Sequence, residues 1–104
     1  MTLPILTADD RAHLDRAISL LDLVGKHADN ETSGLAAVHA LRAADLLEVA
    51  GATVRPLKMQ LSKPDVRAAV RHALRSLSML SSGVFDHPAV ADATEAAQRA
   101  FAAS

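Results

Sequence analysis

The sequence has no cysteine, no tryptophan and no tyrosine, and its only aromatic residues are Phe85 and Phe101. Without cysteine, the chain cannot form a disulfide bond or a thiolate metal site. Large aromatic side chains usually wall small-molecule pockets, and glycine-rich phosphate loops and nucleophile elbows are absent as well. We therefore expect no enzymatic activity, no cofactor and no metal.

Long apolar runs are also missing. No stretch approaches the roughly 20 apolar residues that cross a bilayer, and the N-terminus lacks the basic start of a secretory signal. We therefore expect a cytoplasmic protein with no membrane partner. The abundance of Ala, Arg, Asp and Val, with few Lys, suits a bacterial genome of high GC content.

Half of the residues are hydrophobic, and most of these are Ala, Leu and Val. Alanine and leucine are the strongest helix formers, whereas the aromatic and β-branched residues that favour strands are scarce. A chain of 104 residues has room for one core only. The composition therefore predicts a single all-α domain over residues 1–104, and its alanine-rich helices predict a thin core that gains by self-association.

Capping residues and helical periodicity place the first two helices. Thr7 is a good N-cap for helix 1, whose apolar residues recur at helical spacing until Gly25 interrupts the pattern. The polar residues 30–34 predict a loop. Helix 2 is expected to begin near Gly34 and to end at Gly51, where a C-terminal glycine cap belongs.

A short extra helical turn is expected near 56–61, because Pro56 fits the first turn of a helix, where its missing N–H would have no partner anyway. Ser62 and Asp65 then resemble a capping box. This pair is expected to open helix 3, which the pattern extends over about 63–82.

Helix 4 is expected over 88–102, after Gly83 has closed helix 3. Asp86 is its predicted N-cap, and Pro88 fits its first turn. Short connections between helices favour antiparallel neighbours. The prediction is therefore a compact up-down bundle of four helices with one extra helical turn.

Three histidines open a similar helical phrase. His13, His39 and His72 are each followed three residues later by arginine and seven residues later by leucine or methionine. Each lies at the edge of an apolar face, which does not favour a shared metal site. The sequence His-Ala-Leu-Arg, present at His39 and again at His72, resembles the phosphoacceptor signature of histidine phosphotransfer domains, which are four-helix bundles of this size. His39 is the better of the two candidates. The resemblance implies a phosphoacceptor role for His39.

Basic residues are concentrated between positions 55 and 75, where six of them stand against one acidic residue. They are Arg55, Lys58, Lys63, Arg67, Arg71 and Arg75. The last three are four positions apart, so they form one ridge on helix 3. Such a ridge either binds an anion, a nucleic acid or a protein partner, or it faces solvent or the aspartates of helix 1.

A further pattern covers residues 43–58. Its apolar residues follow the spacing Ala43-Ala44-x-Leu46-Leu47-x-Val49 and then Val54-x-x-Leu57. This pattern resembles the helix-turn-helix of small bacterial regulators and excisionases. The resemblance implies that Ala52, Thr53, Arg55 and Lys58 face the major groove of DNA.

Surplus apolar surface decides between these interpretations. Val38, Leu41 and Leu74 point away from the main apolar stripes of their helices, and a four-helix monomer would leave some of them exposed. We therefore expect a non-catalytic protein–protein interaction module that forms a homodimer through this surface. A DNA-binding regulator and a phosphotransfer domain are the two alternatives.

Overall fold

The computed structural model describes residues 7–27, 30–55 and 63–104. These residues form five helices: α1 (Ala8–His27), α2 (Asn30–Val49), α3 (Lys63–Ser78), α4 (Ser82–Phe85) and α5 (Pro88–Ala103). The described ranges contain no strand, so the predicted all-α helical bundle is confirmed. The helical turn expected near 56–61 and the cap expected at Ser62 lie outside the described residues.

Two predicted helix ends are confirmed by their hydrogen bonds. At the start of α1, the hydroxyl of Thr7 accepts the backbone N–H of Asp10 at 3.0 Å. At the end of α2, Gly51 adopts a positive φ of 99°. Its N–H donates to Glu48 O at 2.9 Å, and the next N–H donates to Leu47 O at 3.0 Å. This pair of bonds is a Schellman cap, in which glycine avoids the strain of a left-handed backbone.

One predicted boundary in the first half is wrong, because residues 30–34 belong to α2 instead of a loop. The interruption of the apolar pattern at Gly25 does not end α1, which continues to His27. A single glycine costs a helix only about 1 kcal/mol, and Asn, Thr and Ser cost less than that each. The packing of a long helix outweighs these propensities, because most helical stability in proteins comes from tertiary contacts.

The second half also departs from the prediction. α3 ends at Ser78 instead of near 82, and Gly83 lies within the additional one-turn helix α4 instead of closing α3. The N-cap of α5 is His87 instead of Asp86, since the Nδ1 atom of His87 accepts the N–H of Ala89 at 3.1 Å. Pro88 occupies the first position of α5, as predicted.

The four long helices form a ring in the order α1, α2, α5, α3. α1 packs against α2 and α3, and α5 packs against the opposite sides of the same two helices. The start of α1 meets the end of α3 where Asp10 bonds Ser81, and the start of α3 meets the end of α5 where Arg67 bonds Ser104. α2 and α3 therefore lie at opposite corners, and adjacency in the bundle does not follow chain order.

The core contains two kinds of helix. α1 buries large aliphatic residues, and α2 and α5 bury mainly alanine. The residues without exposed surface include Leu14, Ile18, Leu21 and Val24 of α1, Ala36, Ala40 and Ala43 of α2, and Ala93, Ala97 and Ala100 of α5. Because interhelical distance depends on the side chains at the contact, small residues allow α2 and α5 to pack closely. They form the most extensive helix pair.

Asp10 connects the first turn of α1 to the turn between α3 and α4. Its buried carboxylate accepts the N–H of Ser81 at 2.9 Å and the hydroxyl of Ser81 at 2.8 Å. These bonds favour the ionised form, so they hold the pKa of Asp10 below its ordinary value of 3.8, and the cap at Thr7 acts in the same direction.

The first prediction concerns Gly25, which lies against Leu41 of α2. A Cβ atom at Gly25 would collide with Cγ and Cδ2 of Leu41, whereas a Cβ atom at Gly34 would meet nothing within 4 Å. Gly25→Ala should lower the free energy of unfolding by about 1 kcal/mol, because overpacking costs more than helix propensity returns. Gly34→Ala, the matched control, should raise it by about 0.5–1 kcal/mol. Urea unfolding measures both, and a stabilising Gly25→Ala would contradict the close contact.

The second prediction concerns Asp10 and pH. Because the pKa of Asp10 is lowered in the folded state, its stabilisation is fully present above about pH 4, which is the pKa of this group in the unfolded chain. The stabilisation is lost as the pH falls through the pKa of the folded state. Asp10→Asn should therefore be less stable than the parent at pH 7, and the difference should shrink below pH 4. Asp9→Asn, at the exposed neighbouring position, should change stability by less than about 0.5 kcal/mol. A pH-independent difference for Asp10→Asn would contradict this role.

Candidate interaction surfaces

A stripe of exposed residues, three aliphatic and two charged, runs along the outer face of α2. Leu35, Val38 and Val49 are 63%, 61% and 79% exposed, and Arg42 and Asp45 between them are exposed too. These five residues are alternately three and four positions apart, which places them on one line along the helix. At 1.5 Å per residue the line is about 21 Å long. We call these five residues the α2 stripe.

The stripe is flanked by half-buried leucines. Leu41 lies on one side and contacts the helix α1 at Gly25. Leu46 lies on the other side and packs against the core. The inner face of α2 carries mainly alanine, and three of its six leucine and valine side chains, Leu35, Val38 and Val49, are exposed.

The structure distinguishes the three residues predicted as an oligomer interface. Val38 lies on the stripe and is mostly exposed. Leu41 and Leu74 are half-buried, and Leu74 packs against the core cluster. Sequence reasoning missed Leu35 and Val49, although their spacing of three and four from the other members was a readable signal.

The three arginines of the predicted basic ridge on α3 differ in their contacts. The guanidinium of Arg67 stacks over the ring of Phe101 at 4.3 Å, and its Nη1 donates to Ser104 O at 3.3 Å. Arg67 therefore holds the C-terminal end of α5. Arg71 and Arg75 are exposed on α3. Lys63 begins α3, and Lys58 lies outside the described residues.

Arg55 is separated from this ridge, because the segment that carries it is bound to α1. Asp15, only 5% exposed, accepts the N–H of Thr53 at 2.9 Å through Oδ1. Its Oδ2 lies 3.6 Å from Nε of Arg55. The N–H of Arg55 donates to Oγ of Ser19 at 2.8 Å, and that hydroxyl donates to Asp15 O at 2.6 Å. Two polar side chains of α1 therefore fix residues 53–55.

These contacts bear on the helix-turn-helix resemblance. Residues 52–55 are not helical, so a recognition helix does not begin there as the resemblance implies. Val49, matched to an apolar position of that motif, is mostly exposed, and Ala52, matched to a groove-facing position, is buried.

A groove of about 660 Å³ lies beside this segment. Its described lining comes from α1 and from Arg55: Ala8, Arg11, Ala12, Asp15, Arg16, Ser19, Leu20 and Arg55. Arg11 and Arg16 are exposed at its edge. Asp15 and Ser19 in this lining are the side chains that accept the N–H groups of Thr53 and Arg55.

The predicted phosphoacceptor, His39, is half-buried at the edge of the α2 stripe. Among the described residues, no group of three or more His, Cys, Asp or Glu is placed to hold a metal ion. The helices in the described ranges include none that is long and apolar enough to cross a membrane. Comparison with models of protein families, with curated proteins and with solved structures finds no match for this chain.

The third prediction tests the anchoring of residues 53–55. Asp15→Ala should lower the free energy of unfolding by about 1–2 kcal/mol, because the N–H of Thr53 loses its acceptor. The same substitution should accelerate hydrogen exchange at the amides of Thr53 and Arg55. Arg55→Gln is the control: its side chain is 74% exposed, so loss of the ion pair should cost less than about 1 kcal/mol. Unchanged amide exchange in Asp15→Ala would contradict the anchor.

Proposed function

We propose that this chain is a small, non-catalytic protein–protein interaction module that forms a homodimer through the α2 stripe. The observation that carries the proposal is the exposure of Leu35, Val38 and Val49 along one line of α2. Burial of these side chains against a second copy favours association, because each Å² of apolar surface removed from water contributes about 25 cal/mol of free energy. Several exposed aliphatic residues aligned on one helix face of a small domain favour an interaction site.

The size of the surface indicates a weak dimer. One helix face from each copy buries less area than the roughly 1,200–2,000 Å² of a stable specific interface. We therefore expect a dissociation constant in the micromolar range. A dissociation constant of about 1 µM corresponds to a binding free energy of about −8 kcal/mol. The alanine-rich core also favours self-association, because alanine side chains bury little apolar area per residue.

Nucleic-acid binding and phosphotransfer stay predictions from the sequence. Residues 52–55 are not helical, and Arg67 is engaged with Phe101. His39 is half-buried. Self-association has the stronger support, since it uses side chains that have no other role in the described structure.

The fourth prediction compares two equally exposed apolar residues. Val38 is 61% exposed on the α2 stripe, and Met79 is 60% exposed just beyond the end of α3. Val38→Glu should weaken dimerisation at least tenfold, because each copy loses buried apolar area and gains a charge to desolvate. Met79→Glu should leave dimerisation unchanged. Sedimentation equilibrium at micromolar concentrations measures both, against twice the chain mass of 10.9 kDa for the parent dimer.

Two outcomes would contradict the proposal. The parent chain could sediment at the monomer mass at hundreds of micromolar. Alternatively, Met79→Glu could dissociate the dimer while Val38→Glu does not, which would move the interface to the end of α3.

A further inference from the structure

We infer that two copies of α2 pack antiparallel across a two-fold axis, with Arg42 of each copy opposite Asp45 of the other. This inference rests on the proposed self-association and adds the orientation and register of the two helices. Its basis is the pattern of the α2 stripe, in which two opposite charges lie between aliphatic residues.

The spacing of the stripe suits a pair of helices. Residues alternately three and four positions apart form the seam along which two helices pack in a coiled coil. The stripe holds five such positions, from Leu35 to Val49, and all five are exposed. Homodimers usually have two-fold symmetry, so that a residue i that contacts j of the second copy is matched by j contacting i.

Charge then selects among the symmetric registers. In a parallel pair, Arg42 faces Arg42 and Asp45 faces Asp45. An antiparallel pair centred on either residue also brings like charges together. An antiparallel pair centred between positions 43 and 44 instead places Arg42 opposite Asp45 twice, once on each side of the axis. Opposite charges across an interface favour one register, and like charges in the others disfavour them.

The same register also pairs the aliphatic residues. It places Val38 of one copy opposite Val49 of the other, again twice. The interface then consists of two central charged layers with a valine layer outside each of them. Leu35 lies beyond the valines, over the C-terminal end of the partner helix. A single register therefore satisfies both the charged and the aliphatic residues, whereas the parallel pair and the pairs centred on one charge do not.

The chain has no cysteine, so introduced cysteines report the register directly. Val38→Cys and Val49→Cys should form a disulfide-linked heterodimer when the two variants are mixed and oxidised mildly. Val38→Cys alone should cross-link poorly. In the antiparallel register the two positions 38 are eleven residues apart along the axis, about 16 Å, far beyond the roughly 7 Å between Cα atoms that a disulfide spans.

Charge-reversal variants at positions 42 and 45 provide an independent test of the register. Arg42→Asp and Asp45→Arg each place like charges in both central layers, so each should weaken its own dimerisation at least tenfold. Mixed together, the two variants should form a heterodimer. The introduced aspartate of one copy then faces the introduced arginine of the other in one layer, and the native Asp45 faces the native Arg42 in the second layer. The double variant Arg42→Asp with Asp45→Arg should dimerise like the parent chain.

The outcomes separate this inference from the proposed function. Efficient cross-linking of Val38→Cys with itself, in a chain that dimerises, would overturn the antiparallel register while self-association stands. A dimer that cross-links neither alone nor in the mixture would place the interface away from α2 and overturn the inference as well. A parent chain that stays monomeric would remove the proposed function and this inference together.

Discussion

Alanine packing between α2 and α5 limits how much apolar surface the bundle can bury, and the other features of the structure depend on this limit. The two helices form the most extensive pair in the fold, yet both bury mainly alanine. Small side chains allow close approach but remove little area from water per residue. The large aliphatic residues of the core come chiefly from α1, and three of those on α2 remain outside. The α2 stripe is thus a consequence of how the core is built.

Two acidic residues of α1 connect this helix to distant segments of the chain. Asp10 and Asp15 are almost fully buried, and each accepts the backbone N–H of a distant segment, at Ser81 and at Thr53. Buried carboxylates are stabilised when N–H groups satisfy them, and such bonds are stronger than those between neutral groups. The segments that follow α2 and α3 are thereby both fixed to α1. Neither of these anchors involves the outer face of α2, where Leu35, Val38 and Val49 are exposed.

Local signals in the sequence predict the features with local causes. The cap at Thr7, the left-handed glycine at Gly51 and the first-turn proline at Pro88 depend only on residues within one helical turn. The order of the helices in the bundle and the one-turn helix α4 depend on tertiary packing, which local propensity does not contain. The anchoring role of Asp15 is invisible in the sequence because its partner, Thr53, is 38 residues away.

The proposed interaction surface is predictable only in part for the same reason. The sequence predicts that some of Val38, Leu41 and Leu74 are exposed, but it does not indicate which of them, and only Val38 is mostly exposed. The half-buried positions of Leu41 and Leu74 follow from the ring arrangement, in which each long helix packs against two neighbours and buries a broad face. The helix-turn-helix resemblance implies that Val49 is packed against a second helix that includes residues 52–55. These residues are not helical.

The most direct test of the central claim is a dilution series followed by backbone amide chemical shifts. If the chain associates through the α2 stripe, shifts at Leu35, Val38, Arg42, Asp45 and Val49 should change together with concentration and fit one micromolar dissociation constant. The amides of Arg71 and Arg75 on α3 should stay constant. Shifts on α2 that do not depend on concentration, up to the millimolar range, would contradict the account.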